Sequence, residues 1–240
     1  MKLGILAGLA LAALTTAPAA FAQRDVVVVT GSRIDRDGGS LPVISIRVPA
    51  DFVVFLLEVE TATRSEDERA RELETAFATL VDRVRRAQGF TLEAGDAYTA
   101  IPIDTVTARE IIEPDDEDPM RSEIRLSLTV AVKPGDTFDK IRIRAEELIK
   151  GARLPGRVEI VIGADQFMGV NDPKKHRETL LRQIAADTEL LQSLFGRGPT
   201  GPASIALNGF EGRVQSRPVA PLEMELYLDY SLSLVQAPRP

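Results

Sequence analysis

A strand-like run that passes straight into a helix restricts the fold of this chain more than any other feature: Phe52-Val-Val-Phe-Leu-Leu-Glu-Val-Glu60, then Ser65 to Gly89. β-Branched and aromatic residues favour a pleated strand over the first part. Ser65-Glu-Asp-Glu68 has the capping-box pattern, in which the serine oxygen accepts from an early backbone N–H and Glu68 reaches back. Ala70, Leu73, Ala76, Phe77, Leu80, Val81 and Val84 recur at steps of three and four, a single apolar stripe on a helix that Gly89 is expected to stop. Arg64, Arg69, Arg71, Glu72, Glu74, Asp82, Arg83, Arg85 and Arg86 fall mostly off the stripe and are expected to face water. Such a helix has to lie against a sheet.

The unit occurs twice. In the run Ser122–Lys133, Ile124, Leu126, Leu128, Val130 and Val132 alternate with Glu123, Arg125, Ser127 and Thr129. Pro134-Gly135 then turns into a helix capped by Asp136, lined by Phe138, Ile141, Ala145, Leu148 and Ile149, and ended by Gly151. Further strands are predicted at Val43–Val48, Thr91–Ala94, Tyr98–Ile103, Arg157–Ile162 and Ser204–Leu207. A third helix opens at Asn171-Asp172-Pro173 and runs through Leu180, Leu181, Ile184, Leu191, Leu194 and Phe195 to Gly196. Leu222 to Leu234 alternates over 13 residues, the longest period-2 signal, and predicts one half-buried antiparallel strand. The fold class expected is α+β, a mainly antiparallel sheet with about three helices packed on it.

Residues 1–22 carry the marks of a secretory signal peptide. Lys2 precedes an apolar run from Leu3 to about Leu14, and Ala20-Phe21-Ala22 places cleavage before Gln23. The run is shorter than the roughly 18–20 apolar residues of a spanning helix. Net charge is −7, and losing Lys2 with the peptide makes it −8, a balance that opposes a phosphate backbone and argues against nucleic acid. Export without a single cysteine suits a bacterial periplasm and a packed core rather than a disulfide scaffold. The organisation expected is a signal peptide (1–22), an extended arm or linker (23–42), one α+β domain (43–236) and a short tail (237–240).

The arm contains Asp25-Val-Val-Val-Val-Thr-Gly-Ser-Arg-Ile34, followed by the polar Asp35-Arg-Asp-Gly-Gly-Ser40. This valine-rich string resembles the TonB-box region of TonB-dependent outer-membrane receptors. The rest of the chain is too short for a receptor's plug and 22-stranded barrel. An exposed extended segment of this kind adds a strand to a partner's sheet edge, so Val26, Val27, Val28, Val29, Thr30, Gly31, Ser32, Arg33 and Ile34 are the candidate protein-interaction residues. The other reading of the same residues is an edge strand of the domain itself.

Two longer stretches resemble the SIMPL-domain family, exported bacterial proteins that include the outer-membrane-protein 28 type. They are Val43-Ile-Ser-Ile-Arg-Val-Pro-Ala-Asp-Phe52 running into Leu57–Arg69, and Phe167 through Asn171-Asp-Pro173 to Gly196 with the closing run Glu223–Leu234. Ile44–Val48 stands where that family has a glycine-rich first strand, and the last helix is richer in charge and leucine. The resemblance implies a ferredoxin-like α+β body, periplasmic residence, oligomer formation and no catalytic residue.

Catalytic patterns are sparse. His176, the single histidine, sits among Lys174, Lys175, Arg177 and Glu178 and is expected to face solvent. With no cysteine, a Cys/His zinc site is excluded. Gly196-Arg-Gly-Pro-Thr-Gly201 matches Gly-x-Gly-x-x-Gly but follows a helix rather than a strand. Glu113-Pro-Asp-Asp-Glu-Asp-Pro119 lacks EF-hand spacing and reads as a solvated loop. Glu58/Glu60 and Glu223/Glu225 are expected on solvated strand faces. No enzyme, cofactor or metal is expected. The function expected is protein interaction or self-assembly in the cell envelope, with a homo-oligomer or an envelope protein as partner. The alternatives are an accessory to TonB-dependent transport acting through Asp25–Ile34, and a hydrolase or small-ligand binder using carboxylates.

Overall fold

A computed structural model describes residues 25–29, 44–115, 118, 120–198 and 201–236. In chain order the elements are β1 (Asp25–Val29), β2 (Ser45–Pro49), β3 (Phe52–Thr61), α1 (Glu66–Arg86), β4 (Phe90–Ala94), β5 (Ile101–Pro102) and β6 (Glu113–Pro114). There follow β7 (Ser122–Ala131), α2 (Phe138–Lys150), β8 (Glu159–Val170), α3 (Arg177–Phe195), β9 (Arg197–Gly198), β10 (Gly201–Asn208), β11 (Gln215–Ala220), β12 (Glu223–Tyr227) and β13 (Ser231–Gln236). The signal-peptide expectation, Thr30–Ile34 and the 237–240 tail lie outside the described residues.

The two strand-helix units anticipated above form the centre. The segment β3-α1-β4-β7-α2-β8 is a βαββαβ unit, and its strands lie in the order β8-β3-β7-β4, every neighbouring pair antiparallel. This is the ferredoxin-like arrangement, with the fourth strand beside the first and the third between first and second. β1 extends the sheet beyond β8, and β5 extends it beyond β4. Alternation decides what each face buries. Val53, Phe55, Leu57 and Val59 of β3 stand opposite Val130, Leu128, Leu126 and Ile124 of β7 and pack with Leu73, Ala76 and Leu80 of α1 and Ile141 and Ala145 of α2. A second, three-stranded sheet, β11-β12-β2, contributes Met224 and Leu226 to the same core, Leu228 joins them just beyond β12, and α3 contributes Leu180 and Ile184.

Several local expectations are corrected. The Leu222–Leu234 run is two strands in two sheets: β12 pairs with β11 and β2, and β13 pairs with β10. Alternation continues across the break at Leu228–Tyr230, where Gly209, at φ +89°, sits against the Asp229 carbonyl in a space that a Cβ would invade. The strand predicted at Arg157–Ile162 continues to Val170, past an irregularity at which Phe55 faces Gln166 but Leu57 faces Ile162. Tyr98–Ile103 is mostly loop. The Asp96 carboxylate accepts from the N–H groups of Tyr98 and Thr99, both at 2.8 Å, and so holds those amides out of a ladder. Ser65 is the N-cap of α1, but its side chain makes no capping bond, so the box pattern is not realised there. The helix ends at Arg86 with Ala87 as its cap, and Gly89, at φ +80°, makes the turn into β4. On α2 the cap is Thr137, which accepts from the Lys140 N–H, while Asp136 accepts from Lys133 and pairs with Arg144.

Candidate interaction surface

Of the nine candidate interaction residues, the structure describes Val26 to Val29. They form most of β1, antiparallel to β8, with Val26 opposite Gly169, Val27 opposite Met168, Val28 opposite Phe167 and Val29 opposite Gln166. Valine-rich sequence favours the extended backbone, and β8 supplies the partner that a lone strand needs. Among the described residues β1 is the terminal strand of its sheet, paired on one side only, with β11 of the small sheet close by. The segment is thus an edge strand of the body in this structure, the second of the two readings its sequence allowed. Its ladder stops at Gln166, where β8 becomes irregular against β3.

The sheet face opposite α1 and α2 divides in two. At one end, Phe52, Val54 and Phe167 form a small buried cluster with Ala97. The Asp96 loop folds over them, and the ring of Tyr98 stands edge-on to Phe167 at 5.8 Å between centroids. The Thr99 N–H, above all, holds the Asp96 carboxyl below its ordinary value, more than offsetting the opposing effect of burial. At the other end, pairing sets Glu113, Glu123, Glu60 and Glu159 directly opposite one another across β6, β7, β3 and β8. Adjacent like charges in a row oppose pairing. Arg121 lies 3.0 Å from Glu60, and Arg125 lies 2.7 Å from Glu123. Glu123 is only 7 % exposed, and burial raises its carboxyl above the ordinary value despite Arg125. Its Oε1 touches the Arg125 guanidinium without hydrogen-bond alignment, a charge contact rather than a directional bond. Among the described residues no group of three or more carboxylates and imidazoles is placed to hold a metal ion.

Two charged residues expected in water are buried. Arg69 is 7 % exposed: Nε donates to Ser122 Oγ at 2.9 Å, and Nη1 donates to the carbonyls of Thr63 and Arg64. It ties the β3–α1 turn to β7. Its spacing from Leu73, Ala76 and Leu80 was the available sign, since it continues the buried stripe one turn earlier. Glu225, 9 % exposed, accepts from Ser45 Oγ at 2.8 Å and from Arg217 Nε at 2.6 Å, joining β2, β12 and β11. Its partner in sequence, Glu223, stays exposed as expected. His176 is half-buried rather than solvent-facing. Burial, then Lys175, lowers its pKa below the usual imidazole value, partly opposed by Asp51 and Asp172.

Among the described residues no helix is long and apolar enough to cross a membrane. Compared with protein-family models, curated proteins and solved structures, the chain matches none of them.

Proposed function

We propose that this chain is an exported periplasmic protein of the cell envelope that works by protein–protein contact or self-assembly rather than catalysis, as its resemblance to the SIMPL-domain family implies. The observation that carries this reading is β1. Val26–Val29, which the sequence marks as an edge-pairing segment, lie in a terminal strand with one backbone edge unpaired among the described residues. Such an edge adds a further strand through main-chain hydrogen bonds, with the alternating side chains giving specificity. The ferredoxin-like order of the central strands is compatible with the same reading.

Light scattering coupled to size exclusion tests the proposal on the chain from Gln23 and on the chain from Leu41. A mass that falls on removal of residues 23–40 supports an assembly strand. Equal masses, together with unchanged recovery of envelope partners, refute the arm's role.

A further inference from the structure

We infer that the free half of the β8 edge, Glu159–Gly163, is the contact of a two-fold dimer, pairing antiparallel with the same segment of a second copy about Val161. The inference rests on the protein-interaction reading above but adds a contact independent of the arm.

β8 has 12 residues, and β1 pairs only with Gln166–Val170. Among the described residues nothing pairs with Glu159–Asp165 on that side. Open edges invite further strands, and proteins blunt them with proline, which donates no ladder hydrogen bond. Here β2, β5, β6 and β11 contain Pro49, Pro102, Pro114 and Pro218. Glu159-Ile160-Val161-Ile162-Gly163 has neither proline nor lysine, and its three central residues are β-branched strand formers. Val161 is 45 % exposed. Alongside runs an open groove of about 350 Å³ between β8 and α2, lined by Ile149, Ile160 and Ile162 together with Arg142, Glu146 and Lys150 of α2.

Charge identifies the second copy as the occupant. With Val161 on the axis, Ile160 stands opposite Ile162 of the second copy, and Glu159 stands opposite Gly163, so no like charges meet. Carried past Glu159 into the turn before β8, the same strand direction brings Arg157 towards Asp165 of the second copy, once on each side of the axis. Both residues are exposed, and neither is ion-paired within the described residues. Opposite charges in facing positions support a strand pair, and a two-fold axis repeats each favourable pair. Ile160 and Ile162 of each copy also add apolar contact beside the other's edge.

The test is the mass of the chain from Gln23 by light scattering and sedimentation equilibrium over a micromolar range, for wild type, V161K, V161E and an equimolar mixture of the two variants. The expected result is a wild-type association that either variant alone weakens at least about 100-fold, because like charges meet on the axis. The mixture should restore it as a heterodimer. R157E, outside the strand, should weaken the dimer, and R157E/D165R should recover it, which keeps the test decisive if a Val161 variant fails to fold. Truncation at Leu41 should leave a V161K-sensitive dimer, so failure of the arm and failure of this contact give different masses. A monomeric wild type, a dimer indifferent to both Val161 variants, or no rescue in the mixture overturns the inference. So does a dimer that appears only once residues 23–40 are removed, since those residues would then cover the edge.

Discussion

Replacing Arg217 by methionine should destabilise the protein through Glu225, and the loss should depend on pH. Glu225 stands directly between Arg217 on β11 and Arg47 on β2 in the small sheet. Its side chain is 11 % exposed and that of Arg217 is 30 % exposed. Both Nε and Nη2 of Arg217 donate to Oε2, while Ser45 holds Oε1. R217M leaves a buried carboxylate with Ser45 as its remaining side-chain donor. A hydrogen bond to a charged group contributes about 1.5–3 kcal/mol, and breaking a fully buried pair costs about 3–5 kcal/mol. Arg217 is nearly a third exposed, and Arg47 stays opposite, so the expected loss is about 2 kcal/mol, or a fall in Tm of about 4–8 °C for a domain of this size. Burial alone pushes the Glu225 carboxyl up, but the bonds from Ser45 and Arg217 and the charges of Arg217 and Arg47 outweigh it and hold the group below its ordinary value. A depressed folded pKa means stability that is present above the unfolded value and lost as pH falls through the folded one. The R217M deficit should therefore be largest near neutrality and shrink as the carboxyl protonates, below about pH 4. Urea denaturation followed by circular dichroism at pH 7 and at pH 3 measures it, with R217M/E225L expected to recover much of the loss. A neutral-pH deficit under about 0.5 kcal/mol, or one equal at both pH values, refutes the reasoning, since buried pairing makes it large and titratable.

Phe55 is fully buried opposite Leu128 in the central strand pair, so F55A should cost about 3–5 kcal/mol with an unchanged denaturant m-value. R69L should cost about 2–3 kcal/mol by leaving Ser122 and the Thr63 carbonyl without their donor, and R69K should not restore it, which chemical denaturation of the three proteins checks. For Glu123 the sign is opposite to that for Glu225. A raised folded pKa means stability present below the unfolded value and lost as pH rises through the folded one. E123Q should therefore stabilise the protein by up to about 1 kcal/mol near neutrality and by less in acid, as a pH series of melting curves will show. T137A should cost about 1 kcal/mol through the lost cap of α2, measurable by urea titration.

Fold class was legible because period-2 and period-3.6 patterns report which side of an element meets apolar surroundings. Ile124 to Val130 and Leu73 to Leu80 announced the sheet and the helix that covers it, and both form as read. The same patterns are silent about partners. Leu222–Leu234 alternates without interruption although its halves pair in different sheets, because a side chain's face does not record which strand lies beside it. The second half of β8, from Gly163, is not legible in the sequence because its glycine residues and Asp165 break the alternation. In three dimensions that irregularity is taken up against Leu56 while the strand continues. Arg69 and Glu225 look like surface charges because residue type signals exposure only on average. Their burial follows from Ser122, 53 positions along the chain from Arg69, and from Ser45, 180 positions from Glu225. The candidate arm divides the same way. That Val26–Val29 form a strand is local, carried by consecutive β-branched side chains. That β8 receives them is tertiary, because only the folded sheet brings residues 25–29 alongside residues 166–170 and, among the described residues, leaves the rest of that edge unpaired.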